Sequence, residues 1–247
     1  MRFEYSRLKV ERAEKHIIDI QSAFDKFIET QYYPFIGNSD SDRGNKTLEF
    51  IRTARIPAPI PFILGDAVHN IRTSLDLMVN QVQKGSGLGY TETAKLHFRN
   101  TRDELVGTVN KFIKVFSPVL ADFIINVIKP YRGGNDFLYT LHDLDIMDKH
   151  RLIIPTMAMT KGIVTVESNE GFQAASASYS CAITLSGEIY QTSIPDNLTI
   201  KNYRSRTVDI FFDQGLPVES KPIIPTLHEF VEMVLGILDS AERLALW

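Results

Sequence analysis

Apolar residues recur at helical spacing through the first 151 residues. The clearest stripe steps by four and three and ends before the glycine-rich segment KGSGLG: Leu64, Val68, Ile71, Leu75, Met78 and Val82. A long helix is predicted over about 5–30, and others follow a capping box at Thr101, the Ser117-Pro118 pair and Asn135. We therefore expect a bundle-like N-terminal part of about five helices.

From Leu152 the pattern changes to short runs rich in β-branched and aromatic residues, separated mostly by Gly, Pro, Ser or Asn. About six strands are predicted between residues 152 and 212, after one short strand near residues 47–50. A final helix begins near Pro225 with a second capping box. Because helices and strands are segregated along the chain, we predict an α+β fold with an antiparallel β-sheet in the C-terminal half and a final C-terminal helix.

The domain organisation follows from the last helix, whose apolar stripe needs the earlier helices or the sheet to cover it. We therefore predict a single domain over 1–247. A sub-boundary near residue 151 stays open, with 1–151 mainly helical and 152–247 holding the sheet and the terminal helix.

The segment GDAVHNIRTSLD (65–76) carries a polar helix face. At 100° per residue, His69, Arg72 and Asp76 fall within about 60° of one another, opposite the apolar stripe, and Asp66 flanks them. A solvated helix face is the simplest interpretation, and a functional site is the alternative.

The segment DFLYTLHDLDIMDKHR (136–151) places two carboxylates, Asp145 and Asp148, on its apolar stripe near the end of a helix, where the helix dipole disfavours negative charge. Buried carboxylates need partners. Lys149, His150 and Arg151 follow directly along the chain. If the two helices pack side by side, His69 and Arg72 are the best distant partners.

Three hypotheses follow for this Asp/His/Arg cluster. In the leading one it is a structural network that joins two helices. In the second it is a catalytic site centred on His69, Arg72 and Asp76, or a site for a divalent metal. The metal ligands would come from this set: Asp66, His69, Asp145, Asp148 and His150. In the third it lines a pocket for a ligand or a partner.

Three motifs, GDAVHNIRTSLD, IKPY (128–131) and LHDLDIMDKHR, resemble a family of uncharacterised bacterial proteins that pair a GDA-HN-R-LD helix with a later DKHR segment. The resemblance covers about residues 1–155 in layout. Members of that family often carry His directly after the LD, a spacing similar to that of the helical HEPN ribonucleases, where Arg and His act on RNA. Leu77 occupies that position here, so only a HEPN-like helical fold is implied. A substitute role for His69 and Arg72 is a hypothesis.

Composition narrows the function classes. The formal net charge is −3, from 27 basic and 30 acidic residues, which gives no general reason to expect nucleic-acid binding. The basic segment KNYRSR (201–206) nevertheless leaves nucleic acid open as a partner. The single Cys181 excludes a disulfide framework and a Cys-based zinc site.

Location and assembly are predicted from the two ends of the chain. No apolar run approaches the roughly 18 residues of a membrane span, and the charged opening segment is unlike a signal peptide. We therefore predict a cytoplasmic bacterial protein without a membrane partner. The apolar ending LALW (244–247), which finishes in the only Trp, suggests a homodimer.

The sequence thus favours a non-catalytic binding or regulatory module whose Asp/His/Arg cluster joins two helices. The alternative is a hydrolase or HEPN-like ribonuclease centred on His69 and Arg72.

Overall fold

The computed structural model describes residues 3–31, 36–40, 45–49, 56–89, 91–151, 156–168, 173–184, 191–195, 198–212, 216, 218–219 and 221–244. Within these ranges, side chains are described for residues 3–29, 56–89, 91–149, 209–212, 216, 218–219 and 221–244.

The chain divides into two compact units. Unit 1 comprises Met1–Ile20, Pro61–Ile154 and Ile224–Trp247, and unit 2 comprises Gln21–Ile60 and Pro155–Ile223. The middle segment of unit 1 thus ends close to the sub-boundary considered near residue 151. That the whole chain is a single domain stays a prediction.

Six α-helices account for most of the described structure. They are α1 (Glu4–Gln31), α2 (Pro59–Gly85), α3 (Arg102–Phe112), α4 (Pro118–Phe123), α5 (Asp136–Arg151) and α6 (Ile223–Glu242), and a π-helical turn, Ile124–Ile128, continues α4. The predicted N-caps are confirmed, because Thr101 and Ser117 accept hydrogen bonds from the backbone three residues on, and so does Asn135. Within the described ranges, none of these helices is long and apolar enough to span a membrane.

The core of unit 1 is built helix against helix. All six apolar side chains of the α2 stripe are completely buried. The apolar stripe of α6 is buried as well, and its Phe230 stacks on Phe137 of α5 with ring centroids 4.4 Å apart. Arg7 of α1 forms a 2.6 Å ion pair with Asp239 of α6. The first and last helices of the chain are thereby joined inside one unit.

The described residues of unit 2 include six strands, whose backbones pair in four antiparallel ladders. The strands are β1 (Ile36–Asp40), β2 (Asn45–Glu49), β3 (Thr156–Ser168), β4 (Gln173–Thr184), β5 (Gln191–Pro195) and β6 (Leu198–Phe212). Their orders are β1-β2-β5 and β4-β3-β6.

The predicted α+β fold is wrong for the part of the molecule in which side chains are described. Where side chains are described, 72% of the residues are helical, with a single strand segment at residues 209–212 and no sheet. The physical reason lies in α6, whose apolar stripe packs on helices such as α5 and needs no sheet to cover it. The described residues of unit 1 contain no strand longer than an isolated bridge.

Among the described residues after 152 there are four strands, where about six were predicted. β3 and β6 each join two of the predicted runs, because pairing continues across the polar residues between them, with register shifts at Lys161/Gly162 and Thr165/Val166. Such β-bulges let a ladder continue past a local interruption. Polar or glycine residues inside a strand therefore looked like its end.

Candidate functional site

His69 of α2 and Asp145 of α5 form a polar contact between the two helices. The Nδ1 atom of His69 lies 2.8 Å from Oδ1 of Asp145, and Nζ of Lys149 lies 2.6 Å from Oδ2. The Asp145 side chain is only 4% exposed, whereas those of His69 and Lys149 are 41% and 49% exposed. Both carboxylate oxygens of a buried acid are thus occupied by groups that reach toward solvent.

The charge state of Asp145 follows from these contacts. Burial raises the pKa of Asp145, but the hydrogen bonds from His69 and Lys149, together with their charges, outweigh it and hold the pKa below its ordinary value. An ionised carboxylate only accepts hydrogen bonds, so Nδ1 of His69 is the donor. The Thr73 hydroxyl lies 3.3 Å from Nε2, the other ring nitrogen of His69.

Asp148, the second carboxylate on the α5 stripe, packs against Gly65 of α2. A Cβ atom at position 65 would overlap the Asp148 carboxylate. Burial, followed by the nearby charges of Asp145 and Asp66, raises the pKa of Asp148. The glycine at position 65 is therefore what allows α5 to bring this carboxyl group against α2.

Arg72 is enclosed rather than presented on an open helix face. Its side chain is 7% exposed; Nη1 donates to Asp76 at 2.7 Å and Nη2 donates to the carbonyl oxygen of Leu96 at 3.1 Å. The backbone N–H of Leu96 donates in turn to the same Asp76 oxygen at 2.9 Å. Arg72 and Asp76 together hold the non-helical segment 94–100 against α2.

The Phe98 ring contacts two cationic or titratable groups. The Arg72 guanidinium lies 4.5 Å from its centroid, a cation–π contact, and the His142 ring stacks on it at 4.1 Å. Burial, followed by the charge of Arg72, lowers the pKa of His142 from 6.5 to about 4. Its Nδ1 atom and the Nε atom of Arg72 are buried without a hydrogen-bond partner among the described residues.

The arrangement differs in two ways from the one expected from sequence. Arg72 was one of two candidate partners for the α5 carboxylates, and a solvated face was the simplest interpretation of its own helix. It pairs instead with Asp76 of its own helix, because residues 94–100 cover that face. His142 was not singled out, although it lies three residues before Asp145 and hence on the same side of α5. That spacing was the available signal.

The remaining candidates from the sequence are Asp66, His150 and Arg151. Asp66 is exposed, and its backbone carbonyl accepts a 2.7 Å hydrogen bond from Asn70. His150 and Arg151 belong to the last turn of α5, but their side chains lie outside the described residues. Across the described side chains, no group of three or more His, Cys, Asp or Glu residues is placed to hold a metal ion.

No family model matches the chain, and no curated protein or solved structure matches it significantly. The resemblance to the bacterial family with the DKHR segment and the similarity to HEPN domains both stay predictions.

Proposed function

We propose that unit 1 is a non-catalytic binding or regulatory module. Its polar network, defined as His69, Arg72, Asp76, Asp145 and Lys149, serves to fix α5 and residues 94–100 on α2. The observation that carries this proposal is Asp145: the acid is buried, and both of its oxygens are occupied, one by a side chain of the facing helix. A carboxylate held in this way keeps the contact between two helices specific.

Arg72 supports the same proposal. A catalytic arginine must reach the phosphate or carboxylate of its substrate, whereas the Arg72 side chain is almost fully enclosed and both terminal nitrogens donate to the protein itself. A HEPN-like ribonuclease that relied on this arginine would first have to break these contacts. The network is therefore better suited to stabilising the unit than to binding a substrate.

The experiment compares stability with turnover. In Arg72→Lys, a single ammonium replaces the planar guanidinium group that donates in two directions. The free energy of unfolding, measured in urea, should therefore be about 1.5–3 kcal/mol lower than in the wild type. The matched control is Arg132→Lys, because Arg132 is 58% exposed in its ion pair with Asp143. We expect less than about 1 kcal/mol there. Equal effects of the two substitutions would contradict the proposed role of Arg72.

A hydrolase is the second candidate, and one observation favours it. His69 is partly exposed, is oriented by a buried carboxylate through Nδ1, and has the Thr73 hydroxyl near Nε2. A histidine oriented in this way can act as a general base, with the hydroxyl or a water molecule as nucleophile.

Activity measurements separate the two functions. Wild type, His69→Gln and Thr73→Val would be assayed on RNA, nucleotide and ester substrates, with folding checked by circular dichroism. The module predicts no turnover by any of the three proteins. Turnover by the wild type that is lost in a folded His69→Gln would favour the hydrolase instead.

Three predictions from the sequence belong to this proposal without a structural argument: a cytoplasmic location, a homodimer and nucleic acid as a partner. The terminal residues 245–247, on which the homodimer rests, lie outside the described residues. The side chains of KNYRSR do so as well.

A further inference from the structure

Residues 94–100 of unit 1 form a non-helical strap that lies against α2. Two hydrogen bonds join its backbone to α2, and both involve Leu96: its carbonyl oxygen accepts from Arg72 and its N–H donates to Asp76. The strap thereby encloses the Arg72 side chain, which is 7% exposed. Because this attachment is local, a change at the strap can uncover Arg72 without moving a helix.

Two histidines lie where the strap meets the rest of unit 1. His97 belongs to the strap and is 7% exposed; its ring stacks on Phe112 of α3 with centroids 5.6 Å apart, and its Nε2 lies 3.0 Å from the carbonyl oxygen of Thr93. His142 of α5 stacks on Phe98 of the strap at 4.1 Å. Both imidazoles are therefore covered only while the strap is in place.

Cationic groups predominate around His97. Burial is the main cause that lowers the pKa of His97, and the charges of Arg99 and Lys95 in the strap lower it further, against the charge of Asp76 on α2. From α3, the Lys111 ammonium lies over the same aromatic ring on which His97 stacks, 4.9 Å from its centroid. A proton on His97 would add a positive charge to a buried and already cationic place.

The surroundings of His142 are similar. Burial, followed by the charge of Arg72 on α2, lowers the pKa of His142 to about 4. Lys149 of the same helix and Arg132, which precedes it, act in the same direction, and only the charge of Asp145 opposes them. A protonated His142 would thus be repelled by the same guanidinium that holds the strap.

We infer that the strap is a pH-sensitive device that encloses Arg72 and Asp76 at neutral pH and is released when His97 and His142 take up protons. Release separates Leu96 from Arg72 and Asp76 and exposes this face of α2 to solvent. The inference rests on the proposed role of Arg72 and Asp76 in holding the segment, and it names the condition under which that hold is lost.

The direction of the effect follows from proton uptake. Release exposes both imidazoles to water, where the pKa of a histidine is about 6.5. In the closed strap both pKa values are lower, so below pH 6.5 the released strap binds more protons than the closed one, for His142 down to about pH 4. Lowering the pH therefore favours release, by up to about 10-fold per pH unit for each linked proton.

The test is amide hydrogen exchange of the whole chain, followed by NMR at pH 7 and pH 5 and corrected for the intrinsic exchange rates. The N–H of Leu96 reports on the strap, and that of Phe230, a buried residue of α6, reports on opening of the core. The opening constant at Leu96 should rise about 10-fold or more between pH 7 and pH 5. At pH 5 it should exceed the constant at Phe230 by about 10-fold or more. Equal constants at pH 5 would mean that the strap opens only with the whole unit, which overturns the inference.

Three variants assign the effect to the two histidines. His97→Gln keeps a donor for the Thr93 carbonyl oxygen, and His142→Phe keeps a ring on Phe98; neither new side chain titrates. Each should show a smaller rise at Leu96 than the wild type, and the double variant should show less than about a 3-fold rise. His228→Gln, at an exposed histidine of α6, is the matched control and should keep the wild-type rise. A wild-type rise in both single variants, or in the folded double variant, would overturn the inference.

Failure of this inference can be distinguished from failure of the proposed function. A strap that does not respond to acid leaves the stability loss expected in Arg72→Lys at pH 7 unchanged. If Arg72→Lys behaved like Arg132→Lys at pH 7, the proposed role of Arg72 would be contradicted, whatever the exchange at Leu96 showed at pH 5.

Discussion

The imidazole of His69 on α2 and the carboxylate of Asp145 on α5 are 76 residues apart in sequence, yet their Nδ1 and Oδ1 atoms lie 2.8 Å apart. Asp145 lies in the C-terminal half of α5, where the helix dipole offers a carboxylate no stabilisation. Its ionised form is instead stabilised by His69 and Lys149. The ionised, buried state of Asp145 therefore depends in part on the contact between the two helices.

A first prediction concerns the helix packing at Gly65. In Gly65→Ala the new methyl group must displace the Asp148 carboxylate, so we expect stability to fall by about 1–3 kcal/mol. The matched control is Gly107→Ala on α3, where a Cβ atom would meet nothing within 4 Å. That change should raise stability by up to about 1 kcal/mol, because alanine favours helix more than glycine. Urea unfolding of both variants gives the comparison, and a gain in Gly65→Ala would contradict the close packing.

A second prediction concerns Asp148, where a substitution should raise stability rather than lower it. Because burial and neighbouring carboxylates raise its pKa, the ionised group opposes folding at neutral pH. Asp148→Asn removes that charge and should raise stability at pH 7, by no more than about 1 kcal/mol because solvent screens this partly exposed group. The advantage should shrink as the pH falls through the raised pKa, since the wild-type carboxyl group then becomes neutral too. A variant less stable than the wild type at pH 7 would show that Asp148 has a stabilising cationic partner.

His142 makes a third prediction, about acid stability. In the unfolded chain its pKa is about 6.5, whereas in the folded protein it is about 4, so between these values the unfolded state binds more protons. Stability should therefore fall as the pH is lowered from about 6.5 to 4. The upper bound from this group is about 3.5 kcal/mol at about 1.4 kcal/mol per pKa unit, and solvent screening of the partly exposed ring lowers it.

The variant His142→Phe isolates this contribution, because phenylalanine does not titrate and can still stack on Phe98. His16 and His97 also have lowered pKa values, owing first to burial, so the wild type and the variant share their contribution. The measurement is the free energy of unfolding at several pH values between 4 and 7. Parallel curves for the two proteins would rule out His142 as a source of the acid sensitivity.

The helices of unit 1 could be predicted because their signals are local. The α2 stripe, the cap at Thr101 and the Ser117-Pro118 start each involve residues within a few turns of one another. The placement of Asp145 on an apolar stripe also follows from local periodicity, and it led to the expectation of a partner on another helix. His69 is that partner.

The remaining features of the site and the fold depend on contacts between residues far apart in sequence, which a periodic pattern does not reveal. Arg72 looks solvent-facing on α2 because the segment that covers it, residues 94–100, is not helical. His142 becomes notable only once Phe98, 44 positions earlier in sequence, lies beside it. The C-terminal runs do form paired strands, but which element covers the apolar stripe of α6 is decided by tertiary packing, and its Phe230 stacks on α5.

The most direct test of the structural network is a double-mutant cycle between His69 and Asp145, measured by urea unfolding at pH 7. Asp145→Ala removes a buried carboxylate together with both of its hydrogen bonds, so it should cost about 3 kcal/mol. His69→Ala leaves that carboxylate one partner short, and the coupling energy between the two substitutions should be about 1 kcal/mol or more. The control is Asp143→Ala on the same helix, whose partner Arg132 is exposed and whose loss should cost less than about 1 kcal/mol. An Asp145→Ala variant as stable as Asp143→Ala, with no coupling to His69, would contradict a stabilising role for the network.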